Sequence, residues 1–120
     1  MKVTVRITKN FKREAKPLLK KFNSLANDLL QLENDLIETP KIGIPLGHDC
    51  FKIRLKITSK GKGKSGGARV VTLVETEIIG IAEINLEEEV TVSLLTIFDK
   101  SDINNLTDKE LKELIKHYKD

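Results

Sequence analysis

Residues 51–71, FKIRLKITSKGKGKSGGARVV, constrain the fold more than any other stretch of this chain. Phe51, Ile53, Leu55 and Ile57 alternate with Lys52, Arg54 and Lys56, which makes a strand with one apolar face and one cationic face. A glycine-rich basic loop follows, with Lys60, Lys62 and Lys64 set among Gly61, Gly63, Gly66 and Gly67, and a second strand opens at Arg69. If the two strands pair as a hairpin, Arg54 and Arg69 approach one another across the ladder. Seven Lys or Arg fall in the stretch, and no Asp or Glu. Like charges gathered this way repel unless an anion shares the surface, and a polyanion is the obvious one. Lysines that only guard an exposed edge are the plainer account. The cations occupy a strand face as well as the loop, which favours the polyanion.

The remaining elements are read around this hairpin. Val3, Val5 and Ile7 alternate with polar residues and predict a first strand. Asn10 is placed to cap a helix whose apolar stripe is Phe11, Ala15, Leu18, Leu19 and Phe22, with Pro17 expected to kink it or mark a restart. A second helix is expected to about Glu38, with Leu25, Leu29, Leu32 and Leu36 inward and Leu30 and Ile37 widening the stripe. Thr39-Pro40 ends it, and Gly43, Pro45 and Gly47 mark a loop. Residues 69–77 read as strand, whereas periodicity leaves open whether residues 78–84 extend it. Leu86-Glu87-Glu88-Glu89 is expected to be an acidic turn before a central strand of Val90, Val92, Leu94, Leu95, Ile97 and Phe98. Thr107-Asp108-Lys109-Glu110 has capping-box spacing, Leu106 is placed to staple to Leu111, and Leu111, Leu114 and Ile115 face inward on a final helix.

Composition narrows the function classes. At 120 residues the expectation is one domain, residues 1–120, with a single core of Leu, Ile and Val. Trp is absent and Tyr occurs once, which disfavours base-stacking platforms; nucleic acid would be held through charge and backbone contacts. One cysteine, Cys50, excludes an internal disulfide and fits a reducing compartment. His48 and His117 are too far apart for metal-ligand spacing, so no metal is expected. No apolar leader and no run of membrane-spanning length are found, which makes a soluble cytoplasmic protein the expectation. The net charge of +3 is blocky: residues 9–21 carry six cations and one anion, whereas residues 75–89 carry six acids and no cation.

Several chemistries can be weighed on the residues. Gly63-Lys64-Ser65 looks like the end of a phosphate loop, but Thr58 stands where the first glycine is needed, and a strand follows where a helix is required. Glu87, Glu88 and Glu89 are better read as solvated than catalytic, and the cluster Asp99, Lys100, Ser101, Asp102 follows a buried strand whose end is expected near the basic face. What remains is a cationic set of Lys52, Arg54, Lys56, Arg69 and Lys100 on a sheet. Such a set binds phosphate passively, or it stabilises the charge that builds on phosphorus during attack by a ribose 2′-OH. Arginine suits charge stabilisation, and a lysine among cations suits proton transfer.

Three runs resemble a known family. Asp49-Cys50-Phe51-Lys52-Ile53-Arg54-Leu55 resembles the second sheet strand of RelE-type toxins of bacterial toxin–antitoxin modules. Residues 61–71, GKGKSGGARVV, resemble the longer basic loop of the HigB-like branch. Leu94-Leu95-Thr96-Ile97-Phe98-Asp99-Lys100-Ser101 and then Asn105-Leu106-Thr107 resemble the way that branch closes its last strand and opens its final helix. The similarity covers nearly the whole chain.

The resemblance implies an α+β RelE/ParE-like fold, with a small antiparallel sheet, an N-terminal helical hairpin and a C-terminal helix in the order β-α-α-β-β-β-α. It implies the toxin of a type II module, a metal-independent mRNA endoribonuclease that acts on the translating 70S ribosome by 2′-OH attack, without a cofactor. A cognate antitoxin would inhibit it, and the toxin alone would be monomeric. Carried over by position, Lys52 is assigned to proton transfer or transition-state charge, Arg54 to phosphate binding, Arg69 to the scissile phosphate and Lys100 to the basic group near the end of the last strand. Lys56, Lys60, Lys62 and Lys64 are expected to bind RNA. Arg54 stands where a lysine is common, and Ser101 where some relatives carry arginine. The alternatives are a non-catalytic toxin of the same fold that inhibits a protein target, and a nonspecific nucleic-acid-binding module.

Overall fold

The computed structural model describes residues 1–61, 66–82, 85–100 and 106–120. The fold is α+β. Strand β1 (Lys2–Ile7) leads into helices α1 (Lys9–Lys21) and α2 (Leu25–Glu38); strands β2 (Ile44–Gly47), β3 (Cys50–Leu55), β4 (Ala68–Ala82) and β5 (Asn85–Asp99) follow, then helix α3 (Asp108–His117). The sheet order is β1-β5-β4-β3-β2. The sheet is mixed and not antiparallel as expected, because β1 lies parallel to β5 while the other neighbours run antiparallel.

Each sheet face carries its own core. Phe11, Ala15 and Leu18 of α1 and Leu25, Leu32 and Leu36 of α2 pack on Ile53, Leu55, Val70, Val74, Val92 and Ile97. On the other face Leu111 of α3, with Leu114, Ile115 and Tyr118 partly buried, covers Cys50, Val71, Leu73, Leu95 and Phe98. Leu30 and Ile37, expected to widen the α2 stripe, stay exposed because one helix face is enough to cover the sheet. Helix α1 continues through Pro17, and its cap is Thr8 in place of Asn10. The Thr8 hydroxyl accepts from the Phe11 N–H at 3.1 Å, while Asn10 Nδ2 donates to the Leu95 carbonyl at 2.9 Å. The capping box of α3 forms as expected from Thr107 and Glu110.

The stretch expected to be a loop before β3 contains a short edge strand, β2. His48 and Asp49 join it to β3 with φ of 56° and 61°, the two left-handed residues of a tight hairpin turn. Residues 78–82 extend β4, and the expected acidic turn at Glu87–Glu89 is strand instead, with Glu89 paired to Glu77, Glu88 to Ile78 and Glu87 to Gly80. The far end of the β4–β5 pair therefore projects beyond β3, whose pairing with β4 ends at Leu73.

One irregularity decides what each face presents. Val71 pairs with Thr96 but Thr72 pairs with Leu94, so Leu95 is an extra residue in β5. The bulge resets the alternation: Leu94 and Ile97 pack under the helical hairpin, whereas Leu95 and Phe98 pack under α3. Asp99 consequently falls on the face of the hairpin.

Candidate functional site

The register builds a cationic region on the α3 face of the sheet. In one row Arg54 of β3, Arg69 of β4 and Phe98 of β5 are direct neighbours; in the next row they are Lys52, Val71 and Thr96. Directly paired residues have Cβ atoms roughly 5 Å apart, so the two guanidinium groups leave the sheet side by side. Arg54 is exposed, Lys52 half-buried and Arg69 buried at 6% exposure. Burial and then the neighbouring Arg54 charge lower the pKa of Arg69 from its ordinary value. Its Nη1 donates to the Ala68 carbonyl at 3.1 Å. Lys100, half-buried, follows β5 immediately and its backbone N–H donates to the Gly67 carbonyl at 3.1 Å, which brings it to the Arg69 end of β4. Thus Lys52, Arg54, Arg69 and Lys100 converge at one end of the sheet.

The two rows run into a groove of about 880 Å³ between α1, β5 and α3. Leu95, Thr96 and Phe98 form its floor, and Lys9, Arg13 and Lys109 stand on its rim with several carboxylates. Thr96 donates to the Glu14 carboxylate at 2.6 Å, which ties α1 to the floor.

The other expected RNA-binding lysines separate. Lys56 is exposed and lies near Asp28 of α2. Lys60 is not a solvated loop cation: its ammonium meets Asp99 at 2.7 Å, with side-chain exposures of 12% and 1%. It also lies 5.5 Å from the centroid of the Phe22 ring, on the helical-hairpin side. Asp99 therefore does not join the basic face, as the sequence had led one to expect, because the Leu95 bulge turns it away. Lys62, Lys64, Ser101 and Asp102 lie outside the described residues.

The sequence pattern did not point to the fittings that hold the basic loop. Thr58–Lys60 form a single 3-10 turn docked on α2. The Thr58 hydroxyl and N–H donate to the Asp28 carboxylate at 2.6 and 3.0 Å, and the Ser24 hydroxyl donates to it at 2.9 Å. Partial burial pushes the Asp28 pKa up, but these hydrogen bonds outweigh it and hold the group below its ordinary value. A depressed carboxylate stabilises the fold above its unfolded-state pKa, and that contribution is lost as pH falls through the lower folded-state value. Thermal melts of the wild type and Asp28→Asn should therefore differ most at neutral pH and converge below the ordinary carboxylate range of about 4. A constant difference down to pH 2 would show that Asp28 contributes through packing and not through its charge.

Gly67 sets the approach of the loop's other end. A Cβ at this position would lie 2.1 Å from the Leu55 carbonyl oxygen, a backbone atom that cannot swing aside. Gly67→Ala is expected to cost about 1–3 kcal/mol and to displace Arg69 from Arg54. A melt unchanged from wild type would refute the close approach.

Cys50 and His48 take structural places. Cys50 is buried at 1% exposure, and burial followed by the Asp49 charge raises its thiol to about 11. His48 Nε2 lies 3.7 Å from Asp108 at the start of α3. Tyr118 lines the groove beside Thr96 and Phe98, and its hydroxyl donates to Glu75 at 2.9 Å. Among the described residues, no group of three or more His, Cys, Asp or Glu is placed to hold a metal, and no helix is long and apolar enough to cross a membrane.

No protein-family model matches the chain, and no solved structure matches it.

Proposed function

We propose that this chain is a RelE-like toxin of the HigB-like branch, an endoribonuclease that cuts mRNA on the translating ribosome. The observation that carries this reading is the row Arg54–Arg69–Phe98 beside the row Lys52–Val71–Thr96, with Lys100 at the strand end. Lys52, Arg54 and Arg69, which the family resemblance assigns to catalysis, share one face, and Lys100 follows β5 at the same end of the sheet. The β5 ends of the two rows, Phe98 and Thr96, line a groove whose rim carries both basic groups and carboxylates, and none of the four cations lines it.

The chemistry follows from what these groups can do. Arg69 and Arg54 donate to the non-bridging oxygens of one phosphate and stabilise the extra negative charge that develops there. Lys52, one row away, serves the 2′-OH proton or adds charge to the same phosphorus. The 2′ oxygen gives up its proton and bonds to phosphorus, the bond to the 5′ oxygen breaks, and the leaving 5′ oxygen takes a proton from water. The products are a 2′,3′-cyclic phosphate and a 5′-hydroxyl end. Arg69 is anchored beside Arg54 by the Nη1 hydrogen bond to the Ala68 carbonyl.

The test is cleavage of a reporter mRNA by the purified chain, with and without translating ribosomes. Cuts that appear only with ribosomes, carrying cyclic-phosphate ends, are the expected result. Tight binding to naked RNA or DNA with a steep salt dependence and no cleavage would instead make the surface a passive phosphate binder. Growth arrest without RNA cleavage would point to a protein target.

A further inference from the structure

The arm formed by the far halves of β4 and β5 has no part in the reading above. Its outer β4 edge, from Glu75 to Ala82, has no strand paired to it among the described residues, since β3 reaches only Leu73 and the Val74 N–H is taken by the Asp49 carbonyl. That edge spans roughly 25 Å at ~3.3 Å per residue, long enough for a whole added strand. Natural edges of this length are usually blunted by lysine, proline or a covering element. Residues 75–82, ETEIIGIA, contain no Lys, Arg or Pro, and Ile78 is 60% exposed.

Charge selects what this edge accepts. Along one row of the sheet Lys2 of β1 neighbours Glu89 of β5, which neighbours Glu77 of β4. Glu77 thus has a like charge on its inner side and an open position on its outer side. Directly opposed like charges destabilise a ladder, whereas an opposite charge in the open position would stabilise it. Glu75, Glu77, Glu87 and Glu89 lie on the same face, the face on which the Tyr118 hydroxyl of α3 reaches Glu75. No Lys or Arg occurs from residue 75 to 89. A second copy pairing through this edge would bring a second set of the same carboxylates to the arm, which disfavours self-association here.

We propose that the arm is a docking strand for an extended, lysine- or arginine-bearing segment of a partner protein, which adds to the outer edge of β4 and sets its basic side chains beside Glu75 and Glu77. Main-chain hydrogen bonds supply the pairing, and the carboxylates supply the choice of partner. The proposal does not depend on the ribonuclease reading, because it uses no residue of the cationic rows.

The experiment uses the full chain, 15N-labelled, titrated with an acetylated and amidated eight-residue peptide of alternating lysine and valine. The expected result is amide shifts and slowed hydrogen exchange confined to residues 75–82, weakened by added salt. The variant Glu77→Lys/Glu87→Lys replaces two exposed carboxylates, so it should fold as the wild type does and bind the peptide about tenfold or more weakly. The same response to a glutamate–valine peptide, or shifts away from the arm, would overturn the proposal. So would sedimentation showing a dimer in which the arm amides are already protected without peptide.

Discussion

Arg69→Ala is expected to lower ribosome-dependent cleavage by about 10²–10³-fold, the usual loss when one preorganised donor to a developing charge is removed. The register sharpens the expectation. Arg69 is buried and flanked by Arg54 across the ladder, so its position is set by the sheet and not by substrate. Arg69→Lys should recover only part of the rate, because an ammonium keeps the charge but lacks the planar fork of donors. Lys52→Ala, one row away, is expected to lose about 10²–10⁴-fold if it moves the proton and less if it only adds charge. The variants would be compared in single-turnover cleavage, with thermal melts to show that each is folded. A folded Arg69→Ala protein that cuts at the wild-type rate would remove Arg69 from the chemistry and leave the row as a docking surface.

The second large effect is on stability. Asp99→Ala takes the carboxylate from a largely buried Lys60 ammonium, and Lys60→Met takes the ammonium from a buried Asp99. Breaking such a pair from one side costs about 3–5 kcal/mol, which for a chain of this length lowers Tm by on the order of 10 °C. Removing both charges is far less damaging, because no buried charge then remains without its counterpart. Lys60→Met/Asp99→Leu should therefore recover much of the loss, giving a coupling of about 2 kcal/mol or more in a double-mutant cycle. Simple additivity of the two losses would show that the pair contributes little.

Much of the site was legible because strand alternation is a strictly local property. Lys52 and Arg54 must share a face once residues 51–55 are strand, and the hairpin through the basic loop then brings Arg69 opposite Arg54. The capping box at Thr107 is equally local and formed as expected. The misread places were those where two local signals compete. Thr8 and Asn10 are both good caps, and tertiary contacts separate them: the Thr8 hydroxyl takes the Phe11 N–H, while Asn10 Nδ2 donates to the Leu95 carbonyl and its Oδ1 accepts from Arg13. Glu87, Glu88 and Glu89 suggest a turn by polarity, yet they continue β5 because residues 77–80 pair with them. The parallel placement of β1 depends on a neighbour more than eighty residues away and has no local signature.

By itself, then, the sequence determined the cationic strand face, the hairpin that doubles it, the two amphipathic helices and the capped third one, because each depends on residue spacing within one or two elements. Tertiary structure alone decided the mixed sheet and the fates of Lys60 and Asp99. For Lys60 and Asp99 the reason is the single extra residue at Leu95, a one-position shift that moves every later side chain of β5 to the opposite face. Phe98 therefore completes the arginine row, while Asp99 turns beneath the helices to meet Lys60.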